Sequence, residues 1–165
     1  MPIWQSSFTL DDLMAICRGT ADEHVGLEVT GWGDDWLEGT LPLDTRTQGE
    51  SGELHPGSLA IVAEALGSIG ANLCVDQRTH RCLGQSLSIY HPLPVTSGPV
   101  RGRASPRLMT PHSQIWKTDI WDATGALVCI SHLTMIVLEQ AHRGASSGSR
   151  HGGSRRSSGA AGPDR

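Results

Sequence analysis

A chain of 165 residues with a net charge of −4 is long enough for one packed domain, which commonly holds about 100 to 150 residues. Its 38% hydrophobic and 18% charged residues are ordinary for a globular protein, and no run approaches the roughly 20 apolar residues of a membrane-spanning helix, which excludes that class. The charge is uneven: residues 141–165 carry five Arg and one Asp, leaving 8 basic and 16 acidic residues in 1–140.

The N-terminal "MPIWQSSFTLDDLMAIC" has no basic region ahead of an apolar core, so no export signal is read there and a cytoplasmic setting is expected. Cys17, Cys74, Cys82 and Cys129 lie far apart without CxxC spacing and read as reduced, structural thiols. Residues 1–140 form the expected domain. Residues 141–165, rich in Gly, Ser, Ala and Arg, cannot bury enough apolar surface to offset chain entropy and are expected to be a disordered tail. A solvated extension is the leading reading of that basic tail, ahead of a nucleic-acid contact.

In chain order, "SFTLDDLMAICRG" places Leu10, Leu13, Met14 and Cys17 at helical spacing, with Thr9 or Ser7 as the cap and Gly19 just past the end. Two alternating runs, 27–30 and 36–41, flank "GWGDD" and predict a hairpin. After the polar loop "DTRTQGESGE", the stretch "PGSLAIVAEALGSIGANLC" predicts a helix of about five turns from Pro56 to about Cys74. Apolar on every face, it reads as buried, and Gly67 and Gly70 allow close backbone approach at a helix-propensity cost that packing must offset. Four more strands follow in "RCLGQSLSIYHPL", "GPVRGRASPRLM", "HSQIWKTDIWD" and "ALVCISHLTMIVLEQ", the last two joined at "DATG". In the final one, Leu127, Cys129, Ser131, Leu133, Met135 and Val137 share one face. The order predicts an α+β fold, an antiparallel sheet curled around one central helix.

Glu64 is the anomaly in that central helix. A buried carboxylate must be neutral, partnered or beside a cleft. His55 precedes the helix, and Ser68 lies one turn beyond Glu64 on the same face, so three polar groups converge near one stripe. Two readings stay open on spacing alone: a catalytic site, or an ion pair from Glu64 to Arg101 or Arg103 with His55 as a helix cap. The pair His80 and Cys82 has no second pair at metal-site spacing, and no GxSxG, GxGxxG or P-loop is present, so neither a metal nor a cofactor is expected.

The segment "GELHPGSLAIVAEALGS" resembles the HGG…E..GS segment of hotdog-fold acyl-CoA thioesterases of the PaaI-like group. The similarity extends over nearly all of residues 8–138, including "TLDDL", "GDDWLEGTLPLDTRT", "GANLC" and "SQIWKTDIWDATGALVCISHLT". It implies a hotdog fold, a long central helix wrapped by a six-stranded antiparallel sheet, assembled as homodimers or homotetramers with sites at the subunit interface. The implied activity is hydrolysis of an acyl or aroyl thioester linked to coenzyme A or a carrier protein, without a cofactor.

By that resemblance Glu64 is the catalytic carboxylate, as nucleophile or general base. Ser68 orients the water or Glu64, and His55 stands near the thioester carbonyl and thiol. Gln48 corresponds to a catalytic glutamine, though Gly49 occupies the aligned position. His91, Leu93 and Pro94, with Leu108, Met109, Thr110, Pro111, His112 and Ser113, border the pantetheine and nucleotide. Gly84 lies near the acyl group. Pro56 and Gly57 begin the helix where the family's first glycine donates its N–H to the thioester oxygen. Proline has no N–H, so a second reading keeps the fold and a pocket for an acyl or polyketide-like ligand but gives slow or altered catalysis.

Overall fold

The computed structural model describes residues 1–140, and the tail expected to be disordered, 141–165, lies outside them. Helix α1 (Leu10–Cys17) starts at Thr9, whose hydroxyl accepts from the backbone of Asp12 while the Asp12 carboxylate accepts from the backbone of Thr9. This reciprocal box satisfies helix-start N–H groups and fixes Thr9, not Ser7, as the cap. A second, short helix α2 (Ala21–Val25) follows, capped by the Thr20 side chain and closed by Gly26 at φ 82. Its five residues are too few to show a hydrophobic period, so periodicity does not reveal it.

Strands β1 (Glu28–Trp32) and β2 (Leu37–Leu41) form the expected hairpin. The central helix α3 runs Pro56–Leu73, and β3 (His80–Tyr90), β4 (Val100–Met109), β5 (Ser113–Trp121) and β6 (Leu127–Glu139) complete one six-stranded antiparallel sheet. Its order is β1-β2-β4-β5-β6-β3, so β3, although between α3 and β4 in sequence, is an edge strand bonded only to β6.

The inner face of the sheet closes on α3 because small residues meet large ones. A Cβ at Gly102 of β4 would lie 2.5 Å from Val62, and one at Gly70 would lie 2.7 Å from the ring of Trp116. Trp116 is fully buried, stacks on Trp4 and donates its Nε1–H to Gln114 Oε1 at 2.8 Å. Gln114 in turn donates to the Ala71 carbonyl at 3.4 Å, so this buried amide is satisfied within the core.

Three sequence expectations change. Leu127 is exposed, because the β5–β6 register slips between Ile120 and Trp121 and leaves Val128 as an extra, buried residue. Arg101 and Arg103 both pair with Glu38 on the outer face of the sheet, at 3.2 and 2.8 Å, and not with Glu64. Only 11 of the 18 residues of α3 are buried, and Glu64 is on the exposed side. The four cysteines are free thiols. No helix among the described residues is long and apolar enough to cross a membrane.

Candidate functional site

The expected site residues fall into three groups along α3. The first is at its N-terminal end, where backbone bonds pin the preceding loop: His55 N–H donates to Thr47 O at 2.9 Å, and Leu54 N–H to Val95 O at 2.8 Å. The buried Ser58 hydroxyl also donates to Thr47 O at 2.9 Å. Gln48 bridges to Leu54 and is held beside His55, so the one-position offset of the glutamine leaves it in the same loop clamp. A cavity of about 290 Å³ opens here, lined by Glu53, Pro56, Leu59, His91, Leu93 and Pro94 among others.

His55 is exposed and is the N-cap of α3: its Nδ1 accepts from Gly57 N–H at 2.9 Å. Ser58 N–H donates to His55 O at 2.8 Å. Pro56 has no N–H, so the first three positions of α3 present no unengaged backbone donor. The cap reading of His55 is therefore correct as local structure, and His55 is not among the residues that line the cavity beside it.

The second group is at the middle of the helix. Glu64 lies on the side of α3 that turns toward the β3 edge, and a Cβ at Gly84 would stand 3.7 Å from Glu64 Oε1. Among the described residues Glu64 has no ion pair, and Arg101 and Arg103, the two partners the sequence offered, are held by Glu38. The carboxyl is raised above the ordinary glutamate range, first by the apolar surroundings of the helix face and second by the negative charge of Asp22. Asp22, itself half-buried and raised by burial, was missed in the sequence because it sits on α2. The signal that could have found it is "TADEHVG", a Thr cap, acidic first turn and terminal Gly. Ser68, half-buried, follows one turn after Glu64.

The third group is the β4–β5 turn. Thr110 N–H and Ser113 O bond at 2.8 Å, the Thr110 hydroxyl also donates to Ser113 O, and His112 O accepts from Val137 N–H. Met109, Thr110 and Pro111 line a cavity of about 510 Å³ together with Cys74 and His80, just beyond the C-terminal end of α3. Leu108 and His112 flank it as exposed residues. This turn is thus at the opposite end of the helix from His91, Leu93 and Pro94.

At about 1.5 Å per residue, the nine positions from His55 to Glu64 span about 14 Å. One protomer brings together Glu64, Ser68 and Gly84, and separately His55, Gln48, Pro56, Gly57 and His91, but does not join the two sets.

No protein-family model matches the chain. It is 41% identical over 137 residues to the proofreading thioesterase EntH of Cronobacter turicensis, covering 82% of this chain and 98% of that one. It is 33% identical over 136 residues to the 1,4-dihydroxy-2-naphthoyl-CoA hydrolase of Escherichia coli, covering 82% and 99%. The chain belongs to the hotdog-fold thioesterases. A solved thioesterase from Haemophilus influenzae superposes with a TM-score of 0.82 at 35% identity, covering 86% of this chain and 99% of its own. The chain is accordingly a thioester hydrolase of this family, and its six-stranded sheet around α3 is the family fold.

Proposed function

We propose that this thioesterase cleaves acyl or aroyl thioesters carried by coenzyme A or a carrier protein, with Glu64 as the reacting carboxylate. The observation that carries the reading is a carboxylate without an ion-pair partner among the described residues, raised by its apolar setting, on the open side of α3. Such a group is a stronger base than a solvated one. As base it takes a proton from water while the water oxygen bonds the carbonyl carbon. The C–S bond then breaks, and the proton passes to the departing thiolate. As nucleophile it bonds the carbonyl carbon itself, the C–S bond breaks to release the thiolate, and water attack on the glutamyl carbonyl of the mixed anhydride frees the acyl carboxylate and returns the Glu64 carboxyl. Single turnover in oxygen-18 water separates the two, because only the nucleophilic path leaves label in the protein. Ser68, on the same stripe, orients the water or Glu64.

A complete site then needs two copies of the chain, with His55 from one protomer and Glu64 from its partner. Three features support this: the separation of about 14 Å along α3, the segments 91–94 and 108–113 at opposite ends of one helix, and the long, exposed β3 edge with unpaired backbone groups. A homodimer paired through β3 unites both halves twice, and a homotetramer doubles that unit. Gly84 on the same strand leaves room for the acyl group beside Glu64. The four free thiols fit a reducing, cytoplasmic setting.

The test is a panel of aroyl-CoA, fatty acyl-CoA and carrier-protein thioesters given to wild type and Glu64→Ala. Rapid turnover of at least one class by wild type alone supports the assignment, and equal rates from both proteins overturn it.

A further inference from the structure

We infer that Asn72 is a positioning residue that staples the edge strand β3 to α3, sets the gap between Glu64 and Gly84, and so decides which acyl groups reach the carboxylate. The role rests on the reading of Glu64 above. Glu64, Ser68 and Asn72 follow one another at four-residue spacing and form one stripe of α3. Both ends of that stripe meet β3. Glu64 Oε1 lies 3.7 Å from where a Cβ on Gly84 would stand, and Asn72 binds the backbone of Cys82.

The Asn72 amide is fully used. Its Nδ2 donates to Cys82 O at 3.2 Å and to Ser68 O at 2.9 Å, while its Oδ1 accepts from Cys82 N–H at 2.9 Å. A primary amide has two N–H donors, and both are engaged. Cys82 thus receives from a side chain the paired exchange that a neighbouring strand would give it. The buried Cys82 thiol also donates to Ala71 O at 3.3 Å. Among the described residues these are the only hydrogen bonds between α3 and β3. On its other side β3 is bonded to β6, and its register slips just after Gly84. A strand paired on one side and irregular at that point is free to shift unless something ties it. The tie at Cys82 holds Gly84 at its distance from Glu64.

An acyl group whose carbonyl comes within reach of Glu64 passes beside β3 at Gly84, where a side chain is missing. The neighbours of an added Cβ there, besides Glu64, are Leu133 at 3.8 Å and Met135 at 3.9 Å. These are ordinary van der Waals separations, so Gly84→Ala folds and narrows the gap by one methyl group. In an apolar pocket a change of that size alters relative rates about 10- to 200-fold. Asn72→Leu acts in the opposite direction. It keeps the bulk of the side chain but removes the amide's bonds to Cys82, and the wall loosens.

The decisive readout is the ratio of kcat/KM for benzoyl-CoA to that for acetyl-CoA, which does not depend on how much of a variant is folded. Gly84→Ala lowers the ratio about tenfold or more, and Asn72→Leu raises it about threefold or more while slowing both substrates. Asn72→Asp keeps an acceptor for Cys82 N–H but has no donor when ionised, so it shifts the ratio in the same direction by less. It replaces Asn72→Leu if that variant does not fold. In wild type, Cys82 N–H exchanges with solvent at least about 100-fold more slowly than a free amide. An unchanged ratio in Gly84→Ala, equal losses on both substrates in the Asn72 variants, or fast exchange at Cys82 each overturns the role. Equal rates from wild type and Glu64→Ala overturn the Glu64 reading instead, and the exchange at Cys82 still decides whether the staple exists.

Discussion

The two sides of α3 follow opposite rules. Toward the sheet, Gly67 and Gly70 let Leu133 and Trp116 approach so closely that an added Cβ would come within 2.8 and 2.7 Å of them. Toward the β3 edge, Glu64 is exposed and Ser68 half-buried, and among the described residues Glu64 has no ion pair. The packed side holds the helix still, and the open side keeps a carboxylate whose charge is poorly solvated yet unneutralised. The packed glycines and the candidate carboxylate thus share one helix, Gly67 about 60° and Gly70 about 120° around its axis from Glu64.

The comparison breaks if substitutions on either side have the wrong kind of effect. Glu64→Ala should lower kcat about 1,000-fold, within the usual range for loss of an acid–base group, while its denaturant midpoint stays at or above that of wild type. On the packed side, Gly70→Ala should destabilise by about 1 to 3 kcal/mol in denaturant melts, because the methyl group meets the rigid Trp116 ring. Turnover per folded molecule should not change. Ser68→Ala is the intermediate case, with rates down about tenfold, or about 1.4 kcal/mol of barrier, and stability within about 0.5 kcal/mol.

A finer test uses Asp22. Its charge raises the Glu64 carboxyl, and the proposed chemistry uses the ionised form, so activity should fall as pH drops through that raised value. Asp22→Asn removes the repulsion and should move the acid limb of the pH–rate profile to lower pH. Burial, the larger cause, remains, so part of the elevation persists. The smallest effect belongs to the outer face: Glu38→Gln, which loosens Arg101 and Arg103, should cost under about 1 kcal/mol and leave turnover alone.

The fold was legible where local chemistry decides it. Pro56 opens α3 at the expected residue, and the alternating runs become strands β1 to β6 in the expected order. Thr9 caps α1 because Asp12 completes the box. What was not legible depended on neighbours. Glu64 looked buried because its helix is apolar all round, but the sheet covers only part of the helix and the edge strand leaves the rest open. Leu127 looked inward until the slip beside Trp121 reversed it. Spacing and the family resemblance both offered His55, Glu64 and Ser68 as a set, whereas the helical rise separates His55 from Glu64 by about 14 Å along α3 and leaves only Ser68 one turn from Glu64. Spacing left His55 as either cap or site residue. The geometry makes it a cap, with Nδ1 accepting from Gly57 N–H.

The distance along α3 from His55 to Glu64 has a genetic consequence. If each working centre borrows from two chains, then a chain dead through Glu64→Ala and another dead through His55→Asp are defective in different halves. Mixed and reassembled, they form hybrid dimers in which one centre carries both lesions and the other carries none. Two inactive alleles should therefore complement each other, and co-expression would restore hydrolysis that neither allele supplies alone.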